Sequence, residues 1–120
     1  MIKRNRKFES ASGLDQVLSV LQDMEERVRD MVNEVLPRRR FASIDMNITP
    51  DEDGIDEVVF SCDAEDEYSS RSPEEVFYIT IKLIDGMFVV QGDNEEDECD
   101  TIEDVKKSVL DMVESIVDAW

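Results

Sequence analysis

The side chains of this sequence that could do chemistry are its carboxylates. The chain has 31 Asp and Glu against 13 Lys and Arg, no histidine, and a formal net charge of −18. Carboxylates can work as an acid–base pair, ligate a hard metal ion, or bind a cationic partner. Their spacing and surroundings along the chain decide among these three roles.

Catalysis is the least favoured role. Without histidine the chain has no Ser–His or Cys–His nucleophile pair, and no side chain whose ordinary pKa lies near neutrality. Cys62 falls in a predicted strand among carboxylates, which disfavour its thiolate. No glycine-rich phosphate loop is present, because none of the four glycines are near each other. We predict a non-enzymatic protein with no catalytic residues.

Metal binding is disfavoured by spacing. If Gly54 occupied the glycine position of a calcium-binding loop, Thr49 would be the first ligand and Phe60 the bidentate twelfth, and neither can serve. Cys62 and Cys99 are too few for a disulfide scaffold, and their separation matches no zinc motif. We predict no metal site and no cofactor.

Charge is divided unevenly along the chain. Residues 1–40 carry nine Lys/Arg and seven Asp/Glu, whereas residues 41–120 carry four Lys/Arg and twenty-four Asp/Glu. So acidic a surface repels nucleic acid and anionic lipid and attracts basic proteins. The longest apolar run, residues 87–90, is too short to cross a bilayer. We therefore predict a cytoplasmic protein that binds a basic protein, and neither nucleic acid nor membrane directly.

Hydrophobic periodicity indicates the helices that frame these carboxylates. Residues 1–12 have a basic start and no apolar stripe, so we interpret them as a flexible arm before a single α+β domain over residues 13–120. A heptad pattern that begins at Leu14 predicts a long helix ending before Pro37. A capping sequence at Thr101, with Asp100 as an alternative cap, predicts a second helix near the C-terminus.

Between the two helices the hydrophobic period changes to two. The alternation predicts four strands, and Asp85-Gly86 is typical of a hairpin turn. We predict the order α-β-β-β-β-α, with both helices packed on one face of an antiparallel meander as a two-layer sandwich. The heptad could instead form a coiled-coil homodimer. The second sheet face is a candidate binding surface because apolar residues occupy alternate positions there: Val59, Val76, Tyr78, Ile84, Met87 and Val89.

The predicted meander suggests where acidic residues meet. The acidic loop over residues 63–75 and the segment after the fourth strand would leave the sheet at the same end, while the turn at residues 51–57 would form a second acidic pole at the other. We expect ten carboxylates to gather at the first end as a partner-binding surface: Asp63, Glu65, Asp66, Glu67, Asp93, Glu95, Glu96, Asp97, Glu98 and Asp100. Duplex DNA carries about one charge per 1.7 Å of axis, so such a surface could occupy the nucleic-acid groove of a basic protein.

Two functional interpretations follow. In size and charge the chain resembles small phage-encoded anti-restriction and anti-CRISPR proteins, which implies a viral anti-defence inhibitor that blocks a basic, nucleic-acid-binding protein by DNA or phosphate mimicry. It is also similar in size, acidity and mixed α+β character to bacterial secretion chaperones, which implies an adaptor that holds a partner through an apolar sheet face or a helix seam. Binding that weakens steeply with salt would favour the inhibitor.

Overall fold

The computed structural model describes residues 2–68 and 72–120, with side chains from residue 13 onward. Within these residues the chain forms two helices and five strands. In chain order they are α1 Ile2–Val35, β1 Arg40–Pro50, β2 Asp56–Asp66, β3 Glu74–Ile84, β4 Met87–Gln91, β5 Glu96–Cys99 and α2 Ile102–Ala119. The predicted α+β class is confirmed, and the predicted number of strands is corrected from four to five.

The five strands form one antiparallel sheet in the order β1-β2-β3-β4-β5. Both helices pack on one face of this sheet, and the hydrophobic core lies between the two layers. At its centre the rings of Phe60 and Phe77 lie 5.2 Å apart, and both side chains are fully buried. The helices therefore leave the opposite face of the sheet uncovered.

Helix α1 packs through the predicted heptad. Leu14, Leu21 and Val28 are at most 7% exposed in the core. The helix ends at Val35, because Pro37 has no amide hydrogen to continue it. Since the sheet and α2 already cover this seam, a coiled-coil partner could reach it only if the domain opened.

The start of α1 differs from the prediction. The helix begins at Ile2 rather than near Leu14. The side chains of residues 1–12 lie outside the described residues, and the predicted flexible arm stays a prediction, as does the single domain that follows it. No helix in the described part of the chain has an apolar stretch long enough to cross a membrane.

Two local predictions are confirmed. Thr101 caps α2, because its backbone is extended and its Oγ1 accepts a hydrogen bond from the Asp104 amide at 3.1 Å. The β3–β4 hairpin turns at Asp85 and Gly86, whose φ angles of 52° and 80° are the left-handed values that a tight hairpin requires.

The region predicted as an acidic loop is partly strand. Strand β2 continues to Asp66 and β3 begins at Glu74, so the connection is shorter than the predicted loop over residues 63–75. Ala64 is fully buried and continues the core alternation of β2, which explains the extension. A β-bulge shifts the β2–β3 register here and leaves Val76 as the extra residue.

Strand β5 was missed because its sequence, Glu-Asp-Glu-Cys, has no apolar period. Three of its four residues are exposed and only Cys99 is buried, at 4% exposure. The strand forms by pairing with β4, where Glu96 lies opposite Gln91 and Cys99 opposite Phe88. Backbone pairing and one buried thiol therefore hold a segment that hydrophobic patterning cannot detect.

Candidate functional site

The uncovered side of the sheet, called here the open face, carries acidic side chains on four of its five strands. Because cross-strand partners share a face, the register assigns its members. They are Phe41, Ser43, Asp45, Asn47, Thr49, Glu57, Val59, Ser61, Asp63, Glu65, Glu75, Tyr78, Thr80, Lys82, Ile84, Met87, Val89, Gln91, Glu96 and Glu98. Seven of these side chains are carboxylates and only Lys82 is a cation.

Four of the carboxylates, Asp45, Asp63, Glu65 and Glu75, form what we call the Asp63 cluster. Asp63 lies directly opposite Glu75, whereas Asp45 pairs with Ser61 and is therefore diagonal to Asp63. Cross-strand neighbours have Cβ atoms about 5 Å apart and diagonal neighbours about 7 Å. Among the residues that the structure describes, none of the four forms an ion pair. The cluster is thus an array of negative charge without an ion-pair partner in the part of the chain that the structure describes.

A second acidic group lies in a depression of about 530 Å³ at the other end of the open face. Its lining includes Asp51 and Glu57 from the β1–β2 hairpin and Asp93 from the β4–β5 turn. Lys82 crosses it, with Nζ 2.7 Å from Asp51 Oδ2 and 3.8 Å from Glu57 Oε2. We call Asp51, Asp53, Glu57 and Asp93 the Asp51 cluster, which differs from the Asp63 cluster in holding a cation.

Hydrogen bonds shift the pKa values of two ionised side chains in this depression. Asp51 Oδ1 also accepts the amide hydrogens of Asp53 at 2.8 Å and Ile55 at 2.9 Å, in a turn whose Gly54 has a φ of 82°. The Lys82 hydrogen bond, and then the Ile55 amide, hold the pKa of Asp51 below its ordinary value. The same bond raises the pKa of Lys82. Both groups therefore stay ionised over a widened pH range, which suits a structural ion pair better than a proton-transfer pair.

The described residues supply little for other chemistry. No group of three or more His, Cys, Asp or Glu side chains in the described chain is arranged to hold a metal ion. Burial, and then the charge of Asp63, raise the pKa of the Cys62 thiol to about 12. Burial also raises the pKa of Cys99. Both thiols are thus held in the protonated form, which is a poor nucleophile.

The β5 carboxylates project on two sides of the sheet edge. Glu96 and Glu98 pair with Gln91 and Val89 and belong to the open face. Asp97 has the opposite orientation, and its Oδ2 accepts a hydrogen bond of 2.6 Å from Ser108 Oγ of α2. Asp97 therefore helps to hold the helix, in addition to carrying charge.

The ten carboxylates of the predicted partner-binding surface form two groups rather than one. Strand β4 has only five residues and ends with Gln91 opposite Thr80, which lies opposite Val59 in the middle of β2. Asp63 lies four residues beyond Val59, about 13 Å further along the strand. One group is Asp63, Glu65, Asp66 and Glu67, and the other is Asp93, Glu95, Glu96, Asp97, Glu98 and Asp100. The expected single gathering is wrong because β4 is too short, and Asp93 joins the depression instead.

Arg39 and Arg40 lie near the Asp63 cluster but make their contacts outside it. Arg40 is largely buried, and its guanidinium donates to Glu74 Oε2 at 3.1 Å and to the Ala64 carbonyl at 2.9 Å. Arg39 lies over the ring of Tyr68, 5.2 Å from its centroid. These arginines anchor the β2–β3 connection, and neither of them forms an ion pair with the Asp63 cluster.

The apolar patch predicted for the open face is only partly present. Tyr78 and Ile84 are 43% and 41% exposed, but Val59 is 7% exposed. Val76 belongs to the core, because the bulge turns it and Phe77 towards the helices. Tyr78 lies apart from Ile84 and Met87, which are directly opposite each other beside the β3–β4 hairpin.

Two members of the Asp63 cluster, Asp45 and Glu75, were absent from the predicted site. The period-two pattern of β1 already put Asp45 on the polar face, so its signal was available. Glu75 could not be assigned from sequence, because the bulge reverses the alternation at the start of β3.

Comparisons with known proteins provide no relative from which a function could be transferred. No family model matches the chain, and neither a curated protein nor a solved structure matches it.

Proposed function

We propose that this chain is a non-enzymatic, cytoplasmic binding protein that blocks a basic, nucleic-acid-binding protein by presenting carboxylates in place of phosphates. The Asp63 cluster is the observation that carries the proposal. Four carboxylates lie on an uncovered sheet face, and no cation among the described residues pairs with them. The proposal includes the viral anti-defence role that the composition suggested.

Rigidity supports binding by these carboxylates. Asp45, Asp63 and Glu65 lie within paired strands, where the backbone ladder holds neighbouring carboxylates about 5 to 7 Å apart. Like charges so placed repel one another, and a cationic partner relieves that repulsion when it binds. A partner that normally releases counterions from nucleic acid would gain a similar salt-dependent free energy from this face.

The adaptor alternative has weaker support. Its helix seam is buried under the sheet, because Leu21, Val28 and Val32 have no exposed surface. Its apolar sheet face is smaller than predicted, because Val59 is buried and Val76 lies in the core. An apolar docking surface of useful affinity usually needs a continuous patch.

Affinity capture from the native cell at low and high salt tests the proposal. We expect the wild-type chain to retain a basic protein at low salt and to lose it steeply as salt rises. Duplex DNA should compete with the chain for that protein. Capture that persists at high salt, or that DNA does not affect, would contradict mimicry.

A charge-matched pair of variants identifies the binding surface. One variant neutralises the Asp63 cluster through Asp45→Asn, Asp63→Asn, Glu65→Gln and Glu75→Gln. The control makes an equal charge change on the exposed side of α1 through Asp15→Asn, Asp23→Asn, Glu26→Gln and Asp30→Asn. We expect only the first variant to lose the partner, and its thermal stability to be unchanged or raised because cross-strand repulsion is removed. Equal losses in both variants would show that net charge alone drives binding.

A third variant examines the β4–β5 region. Asp93→Asn, Glu95→Gln, Glu96→Gln and Asp97→Asn remove four charges from the other group of the predicted surface. If this variant loses the partner while the Asp63 cluster variant keeps it, the contact lies at β5.

A further inference from the structure

The two edge strands of the sheet, β1 and β5, are protected to different degrees against pairing with a further strand. Strand β5 is four residues long and carries three consecutive carboxylates, which discourage further strand pairing. Strand β1 has eleven residues, pairs with β2 over its whole length, and has Asp45 as its only carboxylate. A long, nearly uncharged edge strand is a template for another strand.

One hydrogen bond reveals which backbone groups of β1 point outward. The Ala42 amide donates to Asn33 Oδ1 of α1 at 2.8 Å, so it points away from β2. Backbone groups of alternate residues in an antiparallel strand point the same way. The N–H and C=O groups of Ile44, Met46 and Ile48 therefore point to the outer edge, and no hydrogen bond to them is present among the described residues.

Helix α1 packs on the inner face of β1 more than on any other strand, but its path is oblique to the sheet. Near its C-terminus Asn33 reaches β1, whereas Gly13, twenty residues earlier in the helix, lies against Leu83 and Phe88 of β3 and β4. The helix thus crosses the sheet diagonally from β1 towards β3 and β4. Consistent with this path, Ile44, Met46 and Ile48 are only partly buried.

The side chains beside the edge define what would fit it. A strand added to β1 would place one set of side chains beside half-buried Ile44 and Met46 on the helix side. Its other set would lie beside Asp45 on the open face, one strand from Asp63 and Glu65. The first set suits apolar residues and the second suits Lys or Arg. A second copy of this acidic chain would instead bring Asp45 against like charge.

We propose that the outer edge of β1 binds an extended segment of the basic partner, in which Lys or Arg alternates with apolar residues, by adding it as a strand to the sheet. This inference rests on the proposed function and adds the mode of contact. Pairing at Ile44, Met46 and Ile48 would supply backbone hydrogen bonds, while the Asp63 cluster would attract the cationic side chains.

A peptide probe tests the inference directly. The probe is acetyl-Lys-Val-Lys-Val-Lys-Val-Lys-amide, and its control has the same sequence with the valine amides N-methylated. A second control is N-methylated at the lysines between the valines, because either set of amides can face β1. Charge is equal in all three peptides, but each control lacks one set of donors. We expect at least one N-methylated peptide to bind about tenfold or more weakly than the parent, since it loses several backbone hydrogen bonds.

Amide exchange measured by NMR locates the contact. In the free protein the amides of Ile44, Met46 and Ile48 should exchange faster than those of Asp45 and Asn47, which pair with β2. The parent peptide should slow exchange at the first three only. Equal binding by all three peptides, or no protection at these amides, would overturn the inference.

Two proline variants check which backbone amides of β1 point away from β2. Met46→Pro removes an outward amide and should keep a cooperative fold while weakening the parent peptide about tenfold. Asn47→Pro removes an amide that pairs with β2 and should destabilise the domain. If Met46→Pro fails to fold, the peptide comparison and amide exchange still decide the question.

The remaining outcomes separate this inference from the proposed function. Salt-sensitive capture of a native basic protein with no edge protection would leave the proposed function standing and overturn strand addition. Edge protection that rises with protein concentration in the absence of peptide would assign β1 to a homodimer and also overturn it. Edge binding of the parent peptide without any salt-sensitive native partner would support strand addition and contradict mimicry.

Discussion

The two faces of this sheet come from the same strands but have opposite chemistry. On the helix side, Phe60 and Ile79 lie in the hydrophobic core, and both are fully buried. One residue along each strand, Ser61 and Tyr78 lie on the open face beside carboxylates. This difference teaches that stability and surface charge are encoded by interleaved residues, so that each can be altered with limited effect on the other.

The largest expected effect is on the free energy of unfolding, and it comes from placing the same charge at adjacent positions on the two faces. Ile79→Asp should unfold the domain, at a cost of more than about 4 kcal/mol, because it buries a charge without a partner. Tyr78→Asp, one residue away on the open face, should change the free energy of unfolding by less than about 1 kcal/mol. Urea titration followed by circular dichroism measures both. A folded, cooperative Ile79→Asp protein would show that the assignment of the two faces is wrong.

A smaller effect on stability is expected within the open face, where the Asp51 cluster holds a cation and the Asp63 cluster does not. Lys82→Met should lower the urea midpoint at neutral pH, because Asp51 and Glu57 lose their partner while the Asp63 cluster is untouched. The folded-state pKa of Asp51 is depressed, so its contribution is present above the ordinary carboxyl pKa of 3.8 and is lost as pH falls below that value. The difference between wild type and variant should therefore shrink in acid.

The basic side of the pH range gives the complementary check on this ion pair. The folded-state pKa of Lys82 is raised, so its contribution is present below the ordinary value of 10.5 and is lost as pH rises above it. Lys82→Arg should restore most of the neutral-pH midpoint. A Lys82→Met protein with an unchanged midpoint at every pH would show that the ion pair contributes nothing to stability.

The smallest effect concerns two thiols on the helix side of the sheet. Cys62 lies in β2 between two paired strands, whereas Cys99 lies in the short edge strand β5. We expect a thiol reagent under native conditions to modify Cys99 first, because fraying of β5 exposes it without opening the core. Mass spectrometry of quenched samples gives the order, and faster labelling of Cys62 would contradict the predicted stability of the centre.

Much of the helix side could be read from the sequence. The heptad from Leu14 predicted the buried stripe of α1, Thr101 predicted the start of α2, and Asp85-Gly86 predicted the hairpin. Each of these is a local signal in which a few residue types determine one backbone geometry. Local signals of this kind can be recognised without any knowledge of the tertiary structure.

The acidic site was harder to predict because it depends on lengths and register. The ten carboxylates were expected together, yet β4 stops level with the middle of β2, and β5 then turns back. No propensity of Gln91 or Gly92 fixes where β4 ends. Strand β5 itself is held by backbone pairing and Cys99, which hydrophobic patterning does not reveal.

The bulge at Val76 changes which residues of β3 face the helices and which face the open side. The extra residue sits at the bulge, so the alternation of side chains between the two faces of the sheet is interrupted there. Glu75 therefore lies beside Asp63 on the open face, while Phe77 stays in the core. Deleting Val76 would restore a single alternation and leave Glu75 opposite Asp63, whereas a regular strand that kept Val76 would turn Glu75 towards the helices. A lineage that carries this bulge can therefore vary the charges before it without disturbing the residues after it.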